Sequence, residues 1–265
     1  MTMPPSQFAL QGAGHLATAL IEGFARANAG PISIHDRTPA RARALAGRFP
    51  QLTAFEQEQK FDAEPCPLLL VIPASAILQL AAARIERLRQ SGRVLVSCAN
   101  GLPLSLLEKA VPGVPWVKAI PSVAAAVGKS VTLMMNGTPE VERIFTSAGN
   151  VVHIASDDEI DRLSALTSCF PGILAAILDE LAHTYALDER QTRDLLIESA
   201  LGAILVANEK ETTLSDLVTS VANPGGLTET GVSVIRRSAP ALLAEMKQAM
   251  DAKIRDRRIR LKADS

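Results

Sequence analysis

Two short stretches hold residue types that manage anions, and they stand toward opposite ends of the 265-residue chain. The first is Gly12-Ala13-Gly14-His15-Leu16-Ala17, set between an apolar run and an amphipathic helical pattern. In a G-x-G-x-x-A loop the first glycine makes a tight turn, the second lets backbone approach a pyrophosphate, and the alanine allows close helix-to-strand packing. That spacing, in that context, predicts a dinucleotide site at Gly12, Ala13, Gly14, His15 and Leu16. At the end of the next apolar run stand His35-Asp36-Arg37-Thr38. Asp36 suits a ribose 2′-hydroxyl, which favours NAD, whereas Arg37 and Thr38 suit a 2′-phosphate, which favours NADP. The expectation leans slightly to NADP.

The second stretch is Asn223-Pro224-Gly225-Gly226-Leu227-Thr228. A Pro-Gly-Gly turn that opens a helix leaves backbone N–H groups bare, and so suits an anion. The plainer reading is a helix break, with Thr228 as N-cap of the helix that follows.

The elements that must position these residues change character along the chain. In the first half, FALQ leads into ATALIEGFARA, ISIH into TPARARALAGRF, LLLVI into SAILQLAAARIERL, and RVLVS into LPLSLLEKAV. Strand alternating with helix implies a parallel sheet covered on both faces. WVKAIPS, VTLMMNG and VVHI supply further strands. Ile72, Pro73, Ala99 and Gly101 are further expected coenzyme contacts. Beyond about residue 155 the periodicity is helical throughout. Pro171-Gly172 marks a kink or a break, and APALLAEMKQAMDAKIRDRRIRLK reads as one long terminal helix. The expected division is residues 1–155 for the sheet domain and 156–265 for an all-helical one.

Lys plus Arg number 27 against 28 for Asp plus Glu, a formal charge of −1, so no broad nucleic-acid or membrane surface is implied. The basic stretch Lys253–Lys262 reads as a solvated or subunit-facing helix surface. Cys66, Cys98 and Cys169 lack the spacing of a disulfide framework or a zinc site, and the histidines lack metal-ligand spacing, which leaves no metal and a reducing compartment. With neither a signal peptide nor a membrane span apparent, a cytoplasmic protein is expected. ILAAILDEL and SALGAILVA are apolar around much of their circumference, as helices buried in a bundle or against a second subunit are.

Read together, these residues resemble the pyrroline-5-carboxylate reductase family over the whole chain. The family's N-terminal loop reads as Gly12 to Ala17 does, and its later Ser-x-x-x-Gly stretch is met by Ser97-Cys98-Ala99-Asn100-Gly101. A basic residue ahead of Met-Pro-Asn-Thr-Pro has its counterpart in Lys118 ahead of Pro121-Ser122-Val123-Ala124. The Gly-Ser-Gly-Pro-Ala-Tyr run that opens the family's helical domain falls on Ser168 to Ile173, a Glu follows at Glu180, and Ser-Pro-Gly-Gly-Thr-Thr falls on Asn223 to Thr228. The resemblance implies a Rossmann-type α/β domain followed by an all-α dimerisation domain. It also implies NAD(P)H-dependent reduction of a cyclic imino acid, as in L-proline biosynthesis, by a homodimer or higher homo-oligomer. Asn223, Gly225 and Gly226 would hold the substrate carboxylate, with Thr228 as the catalytic contact near the imine nitrogen and Lys118 and Ser122 as further substrate contacts, although the leading reading of Lys118 is a pair with any carboxylate and of Glu180 a solvated helix position.

The departures lie where substrate belongs. Asn-Thr-Pro has become Ser122-Val123-Ala124, only Pro171 survives from the Gly-Ser-Gly-Pro-Ala-Tyr run, and Leu227 replaces the first Thr of the late turn. Each lost polar contact to a carboxylate costs about 1–3 kcal/mol, so the expected substrate is a less polar or larger imine. Two alternatives stand beside this one. A catalytically weak NAD(P)-binding sensor fits the eroded pocket. A β-hydroxyacid dehydrogenase-like enzyme would need a lysine from the helical half, and none occurs from Asp157 to Asn208.

Overall fold

The computed structural model describes residues 7–209 and 211–263. The alternating half forms one eight-stranded sheet from β1 (Phe8–Gln11), β2 (Ile32–His35), β3 (Leu52–Ala54), β4 (Leu68–Leu70), β5 (Leu95–Ser97), β6 (Trp116–Ile120), β7 (Ser130–Met135) and β8 (Gly149–His153). Their spatial order is β3-β2-β1-β4-β5-β6-β7-β8. The order reverses at β1 and β4, and a crevice opens at that point, above the carboxyl ends of the strands.

The helices of this half are α1 (His15–Arg26), α2 (Pro39–Ala46), α3 (Glu58–Asp62), α4 (Ala74–Ser91), α5 (Leu104–Ala110), α6 (Pro139–Thr146) and α7 (Asp157–Ser164). They cover both faces. Phe8, Leu10, Leu20, Phe24 and Ile34 join Phe145 in one buried cluster, while Ala9, Leu68, Leu70, Ile77, Leu88 and Leu107 form another. Alternation of side chains along β1 explains the split, since Phe8 and Leu10 point to one face and Ala9 to the other. Buried Arg84 fastens α4 to α3 through Asp62, at 3.2 Å, and Glu58, and also donates to Gln11 Oε1 at 3.0 Å.

Three features differ from the sequence expectation. The sheet is not wholly parallel, because β6 and β7 run antiparallel. The chain between Ile120 and Ser130 is shorter than the dozen or so residues that a parallel crossover needs, and it carries only the 3₁₀ segment Val123–Val127. The edge strand β3 and the short α3 were not anticipated. The terminal helix starts well before Ala239.

The helical half comprises α8 (Phe170–Thr184), α9 (Glu189–Gln191), a π-helical turn Thr192–Ile197, α10 (Glu198–Glu209), α11 (Leu214–Val221) and α12 (Leu227–Ala263), with Pro240 inside α12. Pro171 lies in the first turn of α8, where its missing N–H costs nothing, so it starts a helix and does not kink one. By internal contacts one compact unit is the chain up to Pro171 together with the stretch from Lys253 on, and the other is Gly172–Ala252. The expected boundary, at residue 155, assigned both α7 and the end of α12 to the helical part. The second unit leaves Ile177, Leu181, Leu201, Ile204, Leu205, Val234 and Leu242 exposed, a surface larger than a lone bundle keeps in water. Among the described residues no helix is long and apolar enough to cross a membrane.

Candidate functional site

The glycine loop is shaped by contact with the neighbouring strand end. Gly12 has φ +111°, and a Cβ there would stand 2.5 Å from the Val71 carbonyl oxygen and 2.7 Å from Ile72 Cγ2. Only glycine fits. At Gly14 the same construction meets nothing within 4 Å, so the space a side chain would fill is open. Gly14 is also the N-cap of α1, with no side-chain cap and no acidic residue in the first turn. Bare N–H groups, a helix dipole and an open cradle together fit a pyrophosphate.

Asp36 sits beside this loop, 8% exposed. Its Oδ2 accepts the Ala13 N–H at 2.9 Å and its Oδ1 accepts the Thr38 N–H at 2.8 Å. Both carboxylate oxygens therefore turn inward, onto the glycine loop and the start of α2. Arg37 and Thr38 are exposed, and the Thr38 side chain makes no cap to α2 although the residue is its N-cap. His35 lies beneath, its Nδ1 3.2 Å from Gln11 Oε1. Burial first, and the Arg84 charge second, hold its ring below the ordinary value, against the pull of Glu58, Asp62 and Asp36.

Ile72, Pro73, Ala99 and Asn100 line one wall of a cleft of about 480 Å³ at the ends of β4 and β5. Gly101, with φ +74°, is buried, and the side chain of Arg257 lies where its Cβ would point. Cys98 is no nucleophile here, since burial pushes its thiol up to about 12, and burial also takes Cys66 to about 11.

Two expected substrate contacts are placed elsewhere. Lys118 is 0% exposed, and its Nζ donates to Asp157 Oδ1 at 2.6 Å and Asp161 Oδ1 at 3.4 Å. A buried ammonium needs carboxylate partners, and α7 supplies two at i and i+4. Ser122 is 3% exposed, and its N–H donates to Ser130 Oγ at 3.0 Å. Neither offers surface to a ligand.

The late turn lies in the helical unit. Gly226 N–H donates to the Asn223 carbonyl at 2.9 Å across Pro224 and Gly225, and Gly225 has φ +73°, the pattern of a type II turn. Thr228 is an exposed residue in the first turn of α12, not its N-cap, because that helix starts at Leu227. Leu227 is 94% exposed. The Gly225 N–H donates to Glu229 Oε2 at 2.6 Å, so the turn already holds one carboxylate. Glu229 was not among the expected site residues. Its signal was a carboxylate one helical turn after a Gly-Gly pair, the reach of a capping side chain.

Among the described residues no group of three or more His, Cys, Asp or Glu is placed to hold a metal ion. Residues 157–258 match the family profile described as pyrroline-5-carboxylate reductase dimerisation, and residues 7–101 match that of NADP oxidoreductase coenzyme F420-dependent. The chain is 25% identical over 246 residues to a pyrroline-5-carboxylate reductase of Corynebacterium melassecola, covering 87% of this chain and 90% of that one. It is 28% identical over 218 residues to pyrroline-5-carboxylate reductase 3 of Bacillus subtilis, covering 78% of each. A solved pyrroline-5-carboxylate reductase from Coxiella burnetii superposes with a TM-score of 0.79 at 20% identity over 99% of both chains.

Proposed function

Because the chain belongs to the pyrroline-5-carboxylate reductase family, whose members are NAD(P)-dependent oxidoreductases acting on C=N bonds, we propose that it reduces a cyclic imine with a nicotinamide coenzyme. The observation that carries this reading is the glycine loop. Its open space at Gly14, its uncapped α1 N-terminus and its obligatory Gly12 are the parts that a pyrophosphate requires. Ala13, His15 and Leu16 lie along the same phosphate-facing edge, and Ile72, Pro73 and Ala99 line the nicotinamide end. The coenzyme supplies hydride, and the protein's part is to bind, orient and exclude water. Thr228 is the residue assigned to the imine nitrogen, as donor or acceptor of one hydrogen bond, with Asn223, Gly225 and Gly226 around it.

NADP is the preferred coenzyme in this reading. An inward-turned Asp36 leaves Arg37 and Thr38 as the groups nearest a 2′-phosphate, without a facing carboxylate to repel it.

The substrate is an imine whose recognition depends little on a carboxylate at the late turn. Glu229 already uses the Gly225 N–H, and Leu227 presents a hydrocarbon where the family presents a hydroxyl. A fixed carboxylate at that turn attracts a protonated imine and repels a carboxylated one. The protein acts as a homodimer or larger homo-oligomer, since the dimerisation profile spans residues 157–258 and the helical unit exposes the apolar surface named above. Its three cysteines are free, in keeping with a reducing cytoplasm.

The test is NADPH and NADH oxidation with 1-pyrroline and 1-piperideine against their 2- and 5-carboxylates, in the wild type and in Glu229→Ala. The wild type should turn over the two imines that lack a carboxylate more efficiently. Glu229→Ala should shift the ratio toward the carboxylates by about tenfold. Binding of coenzyme with no turnover of any imine would favour a sensor instead.

A further inference from the structure

The stretch from Lys253 on, which counts with the sheet unit, is fastened there at three points. Arg257 Nη1 donates to the Asn100 carbonyl at 3.1 Å, and its Cδ lies 2.8 Å from where a Cβ on Gly101 would be. Arg258 Nε donates to Asp161 Oδ2 at 2.9 Å, and its Nη1 donates to Asp158 Oδ1 at 2.5 Å. Leu261 enters the core beside Ile77 and Leu107. The result is a second wall for the cleft at Ile72, Pro73 and Ala99. That wall carries Lys253, Arg257 and Arg260 against the single carboxylate of Asp256.

The anchors divide the labour. Leu261 and Arg258 dock the helix end through apolar burial and two ion pairs. Arg257 instead lies over the backbone turn that follows β5. Lys253 and Arg260 have no ion-pair partner among the described residues, although they line one cleft. Unpaired like charges around a cleft repel one another, and a polyanion relieves that repulsion.

We propose that the C-terminal end of α12 is part of the coenzyme site: Arg257 is a positioning residue that fixes the Asn100–Gly101 turn, and the positive potential of Lys253 and Arg260 draws the anionic dinucleotide to the cleft, with its nicotinamide end beside Ile72, Pro73 and Ala99 and its phosphates at the glycine loop. This rests on the coenzyme reading above. It gives the basic terminal stretch a role beyond a solvated surface.

The experiment titrates the full-length protein with NADPH, followed by fluorescence, at low and at high salt. Reversing Lys253→Glu together with Arg260→Glu should raise the dissociation constant about tenfold or more at low salt, with the gap closing at high salt. Both side chains are exposed, so the melting temperature should hold. Arg257→Ala should raise the KM for NADPH more than it lowers kcat, and Arg257→Lys, which still reaches a carbonyl with a charged donor, should recover most of the loss. Wild-type-like NADPH affinity in the charge-reversed and Arg257→Ala proteins overturns the inference while leaving the coenzyme reading intact. A wild-type protein that binds no dinucleotide overturns both.

Discussion

The carboxylate of Asp36 is hydrogen-bonded back onto the glycine loop, with Oδ2 2.9 Å from the Ala13 nitrogen. An acidic residue at the end of the second strand ordinarily reads the ribose, but here it braces the glycine loop itself. Asp36→Ala should therefore weaken NADH and NADPH alike, by about tenfold, since a charge-assisted hydrogen bond is lost from the loop in either case. Arg37→Ala should weaken NADPH alone. Titration of both coenzymes against both variants checks this, and a selective gain in NADPH affinity for Asp36→Ala would mean that Asp36 faces the ribose after all.

Gly12 and Gly14 should fail in different ways. Gly12→Ala drives a Cβ into the Val71 carbonyl at a φ that side chains rarely adopt, for about 2–5 kcal/mol of lost stability. Gly14→Ala meets open space, so the fold should hold while coenzyme binding is lost. Thermal unfolding beside NADPH titration separates them. Equal melting temperatures for the two variants would refute the geometry.

Lys118 should prove structural. Lys118→Met leaves Asp157 and Asp161 without their buried cation and should cost about 3 kcal/mol, softened because Asp161 keeps Arg258. The KM for imine should stay within about twofold, the scale of an indirect effect. A raised KM with unchanged stability would return Lys118 to the substrate.

His35 makes stability depend on pH. Its folded ring titrates below the ordinary 6.5, so the unfolded chain takes up a proton first as pH falls. The stability due to this ring is complete above about 6.5 and is lost progressively below it. His35→Gln should be less stable at neutral pH and should flatten the fall between neutral pH and about pH 5, above the range where carboxylates dominate. Urea unfolding at several pH values measures it, and identical profiles for the two proteins would remove His35 from the account.

Much of the sheet was legible because buried parallel strands read as unbroken apolar runs, as LLLVI does before the cleft. β3 was missed because Leu52–Ala54 is three residues long and only Leu52 is fully buried, too little for a period. The antiparallel β6–β7 pair was hidden because apolar runs carry no direction. The glycine loop announced itself through backbone needs that only certain residues meet. The roles of charged side chains did not, since a sequence does not say that Lys118 meets Asp161 or that Arg258 crosses to the same carboxylate. Asp157 and Asp161 could be placed on one helix face, but their partners come from β6 and from the far end of α12. For the same reason Lys253–Lys262 reads as a solvated or subunit-facing surface, and Glu229 does not stand out in the sequence.

The proposed reaction is hydride transfer from a nicotinamide coenzyme held at the glycine loop to the carbon of a cyclic C=N bond. The most direct measurement supplies NADPH deuterated at each C4 position in turn, with the imine panel, and locates the label in the product by NMR. Deuterium should appear on the former imine carbon from one of the two coenzymes, and none should appear in Gly14→Ala. An unlabelled product from both coenzymes, or tight NADPH binding with every imine left unreduced, would contradict it.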